Sequence, residues 1–86
     1  LLQNKLQNAF QQYNQNLSQY NYYKTTALPN ADIIISTAKV GFKSGDIGYI
    51  EYLQALQTAT DVQLSYLQSV NQINQSIINI NFLINK

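Results

Sequence analysis

Two apolar rows with the spacing of a helix face flank a short glycine-bearing joint, Phe42-Lys43-Ser44-Gly45-Asp46-Ile47-Gly48. Before the joint, Leu6, Phe10, Tyr13, Leu17, Tyr20, Ala27, Ala31, Ile34 and Ala38 keep a four-three rhythm that only Lys24 interrupts. After it, Tyr52, Leu56, Ala59, Tyr66, Val70, Ile73, Ile77, Ile80 and Ile84 do the same, interrupted only at Gln63. A four-three alternation sustained over this length describes the seam of a coiled coil. With a tight turn between two such seams, the chain must fold back on itself. The expected fold is therefore all-α, a long antiparallel coiled-coil helical hairpin with the joint as its tip.

The expected boundaries follow from local chemistry. The first helix covers residues 1–43, the tip 44–46 and the second helix 47–84. Gly45 suits the residue just past a helix end, and Asp46 is the natural cap for the helix that follows. The second helix meets no Gly or Pro after Gly48, and at about 1.5 Å per residue it is roughly 55–60 Å long. Leu28-Pro29-Asn30 is the one serious interruption, because proline lacks a backbone donor and biases the residue before it away from helix. Two readings stand: a kink at 28–30 within one long helix, or a break with Pro29 opening a new helix. The four-three phase runs unbroken from Tyr20 to Ile34, which favours the kink. Thr25 and Thr26 are placed to bond backbone groups freed near it. Folding at the tip pairs residues whose numbers sum to about 91, so that Tyr20 lies near Val70 and Tyr13 near Ile77.

Composition narrows the function. The chain has twelve Gln and eleven Asn but only five Lys, four acidic residues and no Arg, so its polar faces are amides rather than ions. That charge is too sparse to follow a phosphate backbone. Amide-rich chains are often disordered, but here apolar residues interleave at helical spacing. Histidine, cysteine and methionine are all absent, which removes the usual ligands for zinc, copper or iron. Asp32, Asp46, Glu51 and Asp61 are the only carboxylates. A cap and solvated side chains account for them, and Ser44 has no base beside it. No catalytic residue, metal site or cofactor is expected, and the chain does not read as an enzyme.

The longest apolar runs, such as Ile33-Ile34-Ile35, are far short of the roughly 20 residues that cross a bilayer. Two helices bury one seam each, which is thin for a free-standing domain. Together with the missing methionine, this suggests a segment of a longer protein that needs company. Apolar residues outside the seam widen the stripes, among them Tyr22, Tyr23, Ile33 and Ile35 on the first helix and Ala55, Val62 and Leu83 on the second. Each helix is thus expected to touch more than one neighbour. In isolation the expected product is an antiparallel four-helix dimer.

The tip gathers Lys39, Lys43, Asp46 and Glu51 beside Phe42, Ile47, Tyr49 and Ile50. An ordinary capped turn would explain this equally well as a docking surface. As a docking surface, the contact residues would be Phe42, Lys43, Gly45, Asp46, Ile47, Gly48 and Tyr49.

Ala27-Leu28-Pro29-Asn30-Ala31, Ala38-Lys39-Val40-Gly41-Phe42-Lys43-Ser44-Gly45-Asp46-Ile47 and Tyr49-Ile50-Glu51-Tyr52-Leu53-Gln54-Ala55 together resemble the outer-membrane efflux protein family, the TolC-like channels. The family's hairpin turn, an aromatic followed two residues later by glycine, is matched by Phe42 and Gly45. Leu53 and Ala55 match the segment after it, and Tyr66-Leu67 and residues 71–83 look like the closing helix. The resemblance spans essentially the whole chain, and its flavour is that of segments fused to, or working with, heavy-metal pumps of the resistance-nodulation-division type. It implies a periplasmic location in the cell envelope and hairpins from three subunits forming a hollow α-barrel. It also implies that the tip docks end-on against a periplasmic adaptor protein, with Phe42 and Ile47 at the positions of the family's gating residues. Two other readings remain open: a structural or oligomerising coiled coil with no transport role, and an amide-rich adhesin or secretion-needle hairpin.

Overall fold

In the computed structural model, which describes residues 2–85, every element is helical. An α-helix, α1 (Leu2–Tyr22), runs into a single π-helical turn at Tyr23–Ala27 and continues without a loop as α2 (Leu28–Ser44). After a short turn, α3 (Tyr49–Ile84) returns along both. The molecule is a rod of 62 × 17 × 15 Å. Its radius of gyration is 18.7 Å, against about 12 Å for a compact domain of this length. Residue 1, with which the expected first helix begins, lies outside the described residues.

The return of α3 is fixed by contacts along its length. Phe42 stacks on Tyr52 beside the tip, Tyr20 on Tyr66 midway, and Asn16 bonds Ser76 further out. The middle register differs from the expected one, for Tyr20 meets Tyr66 rather than Val70, one turn closer to the tip. The turn itself spans Gly45–Gly48 rather than residues 44–46, because α2 keeps Ser44 and α3 starts only at Tyr49.

Burial corrects four of the eighteen expected row members. Ala27, Ala31, Ala38, Ala59 and Ile80 are buried as expected, Leu6, Tyr13, Leu17, Tyr20, Tyr52, Leu56, Tyr66, Val70 and Ile73 are half-buried, and Ala9, Asn16, Ser69 and Ser76 are buried beside them. Each of these four sits one residue before an expected apolar member: Phe10, Leu17, Val70 and Ile77. Phe10 and Ile77 instead stand exposed, as do Ile34 and Ile84. The physical reason is close approach. Small side chains let two backbones near each other, and the larger neighbours then flank the contact rather than fill it. No large side chain is fully buried anywhere along the described rod.

The π turn explains a second departure. Up to it, the buried or half-buried positions of the first arm are 6, 9, 13, 16, 17, 20 and 23; beyond it they are 27, 28, 31, 35, 38 and 41. A regular rhythm would have continued through 30, 34 and 37, so the phase moves by one residue and is not unbroken. One extra residue in a π turn absorbs that shift. It also lies directly before Pro29, whose ring would otherwise press on a carbonyl of the preceding turn. Leu28 N–H donates to the Tyr23 carbonyl across the wide turn, and the Thr25 hydroxyl donates to the Asn21 carbonyl at 2.6 Å. Lys24, which interrupted the apolar row, is exposed and sets its Nζ 5.7 Å from the centre of the Tyr20 ring, a cation–π contact.

Candidate functional site

The tip is built on the carbonyl of Gly41. Gly45 adopts φ 85°, ψ 4°, the left-handed conformation that costs glycine least. Its N–H donates to the Phe42 carbonyl at 3.3 Å, and Asp46 N–H donates to the Gly41 carbonyl at 2.8 Å. This pair of bonds is a Schellman motif, which satisfies the last carbonyls of α2. Ile47 N–H and the Ser44 hydroxyl also donate to Gly41, at 3.2 and 3.1 Å. Gly41 earns its place differently from Gly45. A Cβ there would touch Ile47 at 3.4 Å, which is ordinary contact, so Gly41 brings Ile47 onto the helix without requiring an unusual backbone.

Asp46 does not cap α3. The N-cap is Gly48 in extended backbone, and no side chain bonds the first turn. The Schellman motif uses the Asp46 N–H to end α2, which leaves two further residues before the next helix can start. Of the other expected contact residues, Lys43, Asp46, Gly48 and Tyr49 are exposed at the end of the rod and Ile47 is half-buried.

Two different surfaces flank this turn. On one side Phe42 lies parallel to Tyr52, ring centres 4.9 Å apart and planes 6° apart, with Tyr49 6.0 Å away. The plate ties α2 to α3 through aromatic contact. On the other side Ile33, Ile34, Val40, Ile47 and Ala55 line an apolar groove of about 530 Å³, with Asp46 at its edge. Of its lining, Asp46 and Ile47 were expected from the joint and the other residues were not. Its walls come from α2 and α3, and only the returning arm brings Ala55 beside Ile34. The run Ile33-Ile34-Ile35 was the available signal, since three consecutive isoleucines cannot all face one seam.

A second, chemically opposite groove lies at the far end of the rod. Gln12, Gln68, Asn71, Gln72 and Gln75 surround the buried Asn16 in a cleft of about 660 Å³. Asn16 Nδ2 donates to Ser76 Oγ at 2.5 Å and to the Gln72 carbonyl at 3.3 Å. Between the two grooves, the Tyr20 and Tyr66 rings stack 5.7 Å apart. Hydrogen bonding to Tyr20, with a smaller contribution from burial, holds the Tyr66 phenol above its ordinary value. Among the described residues, no three potential ligands cluster to hold a metal ion, and no helix is long and apolar enough to cross a membrane. Comparison with protein-family models, curated proteins and solved structures finds no match.

Proposed function

We propose that this chain is a periplasmic coiled-coil hairpin of a tripartite efflux system, in which it forms part of a channel wall and docks a periplasmic adaptor through its tip. Three subunits contribute hairpins to the barrel, and a resistance-nodulation-division pump completes the system. On this reading the π turn is where the first arm adjusts to the barrel. The observation that carries this reading is the apolar groove of Ile33, Ile34, Val40 and Ile47 at the end of a 62 Å rod. A glycine-built turn presents that groove beside an aromatic plate, so a helical partner can meet both surfaces end-on. The resemblance of residues 27–55 to TolC-like hairpins supports the same reading. Substrate would pass along the assembled barrel, with no chemistry performed on it.

Capture of the chain by its cognate adaptor tests this directly. Gly45→Trp, Phe42→Ala and Val40→Asp should each weaken capture at least about tenfold, as for central residues of an interface. If all three bind as well as the unaltered chain, the docking role is wrong. The alternative is a structural or oligomerising coiled coil without a transport role, supported by the exposed apolar residues along the whole of α3. On that reading tip substitutions change nothing, while Ile73→Asp on the seam abolishes assembly.

A further inference from the structure

α3 carries apolar residues on two opposite faces. One is the seam; the other is exposed and holds Tyr49, Leu53, Leu64, Leu67, Ile78 and Phe82. Exposed positions on this second face recur every three or four residues from 49 to 82, the spacing of one helical stripe. The order of residue types is the same read in either direction from a point between Ser65 and Tyr66. Leu64 mirrors Leu67, Thr60 mirrors Asn71, Gln57 mirrors Asn74, Leu53 mirrors Ile78, and Tyr49 mirrors Phe82.

We propose that two copies of this chain pair through this face as an antiparallel two-fold dimer centred between residues 65 and 66. A two-fold interface needs each residue to meet its mirror mate on the other copy, and this stripe supplies apolar mates for apolar residues and polar mates for polar ones. Neighbouring registers fail. A slip of one heptad sets Leu64 against Asn74 and Leu67 against Asn71, or Leu64 against Thr60 and Leu67 against Gln57.

The surface also fits in extent. The stripe is about 50 Å long and roughly 10 Å wide, so pairing covers about 1,000 Å² in total, the lower bound for a specific interface. The single chain exposes 6358 Å², against about 5,200 Å² for a compact monomer of its mass. The stripe contains no charged residue, and α3 has no Lys or Arg from Tyr49 to Ile84. A membrane surface is therefore a poor occupant, since helices lying on lipid carry basic residues beside their apolar face.

The pairing does not rest on the channel reading, and one experiment separates them. The chain has no cysteine of its own. Leu53→Cys chains mixed with Ile78→Cys chains should give mixed cross-links only, because each residue lies about 38 Å from its own counterpart in the antiparallel pair. In a channel wall all tips point the same way and this mixed cross-link does not form, whatever the adaptor result. Sedimentation equilibrium of the full chain should show a dimer. Leu64→Asp and Leu67→Asp should each raise its dissociation constant at least about tenfold with helicity unchanged, while Gln11→Asp on the outside of α1 leaves it unaltered. A monomer at concentrations on the order of 100 µM, cross-links between identical cysteines, or a monomer that instead sediments with phosphatidylcholine vesicles would each overturn the proposal.

Discussion

The two ends of the rod hold the same pair of arms together by different means. Near the tip, α2 and α3 meet through alanines, with Ala31, Ala38 and Ala59 buried and a stacked aromatic pair closing the end. Near the open end, α1 and α3 meet through an amide, with Asn16 reaching Ser76 and the Gln72 backbone. Alanine contacts set how close two helices lie but are indifferent to sliding by a turn. A buried amide with fixed partners is not, because every other register leaves it unsatisfied. The tip half therefore controls spacing, and the open half controls register.

Substitutions that invert these roles should separate them. The largest effect is expected from Ala59→Leu. Ala59 is 0% exposed, so the added bulk must push the arms apart, at a cost of about 3 kcal/mol in urea unfolding. A loss below about 1 kcal/mol would mean that close approach is not what the alanines provide. Asn16→Ala should cost about 2 kcal/mol, because Ser76 and Gln72 lose their shared donor. Replacing both partners, as in Asn16→Leu with Ser76→Ala, should recover most of that stability but broaden the distances seen by spin labels on α1 and α3. Recovery with a single sharp distance would deny Asn16 its part in register.

Gly45→Ala should cost about 1 kcal/mol, since its φ is left-handed and a Cβ is strained there. Gly41→Ala, four residues earlier, should instead gain about 0.5 kcal/mol from helix propensity, because its Cβ meets only ordinary contact. Equal effects at the two glycines would refute the different roles assigned to them. The smallest effect concerns Tyr66, where the two halves join. Its folded-state value is raised, so the contribution is present below the ordinary phenol value near 10 and is lost as pH rises from there through the raised value. Tyr66→Phe should flatten that alkaline fall in melting temperature and leave the neutral value nearly unchanged.

The hairpin was legible because period alone identifies a helix face, and a glycine-bearing joint between two such faces leaves few alternatives. The seam was legible only in part. At four levels the buried residue is small or polar (Ala9, Asn16, Ser69 or Ser76), while the bulky neighbour one position later carries the stronger apolar signal. Hydrophobicity marks the stripe, but close packing selects its smallest members. The tip followed the same division. Gly45 was readable from its type, whereas the capping role given to Asp46 failed because α3 starts only at Tyr49, with Gly48 in the cap position. The aliphatic groove required knowing that Ala55 returns beside Ile34, which no local pattern states.

The π turn at Tyr23–Ala27 has a consequence for what the chain tolerates. A helix that gains one residue by insertion can keep its contacts on both sides only by swelling locally, and this arm has the spacing of a regular repeat with one residue too many. Deleting Thr26 would move Ala31, Ile35 and Ala38 onto the rhythm of the first half but bring Pro29 into an ordinary α-helical turn. Deletion alone should therefore destabilise, and deletion combined with Pro29→Ala should restore much of the loss. The π turn and the proline would then be tolerated only as a pair, each making room for the other.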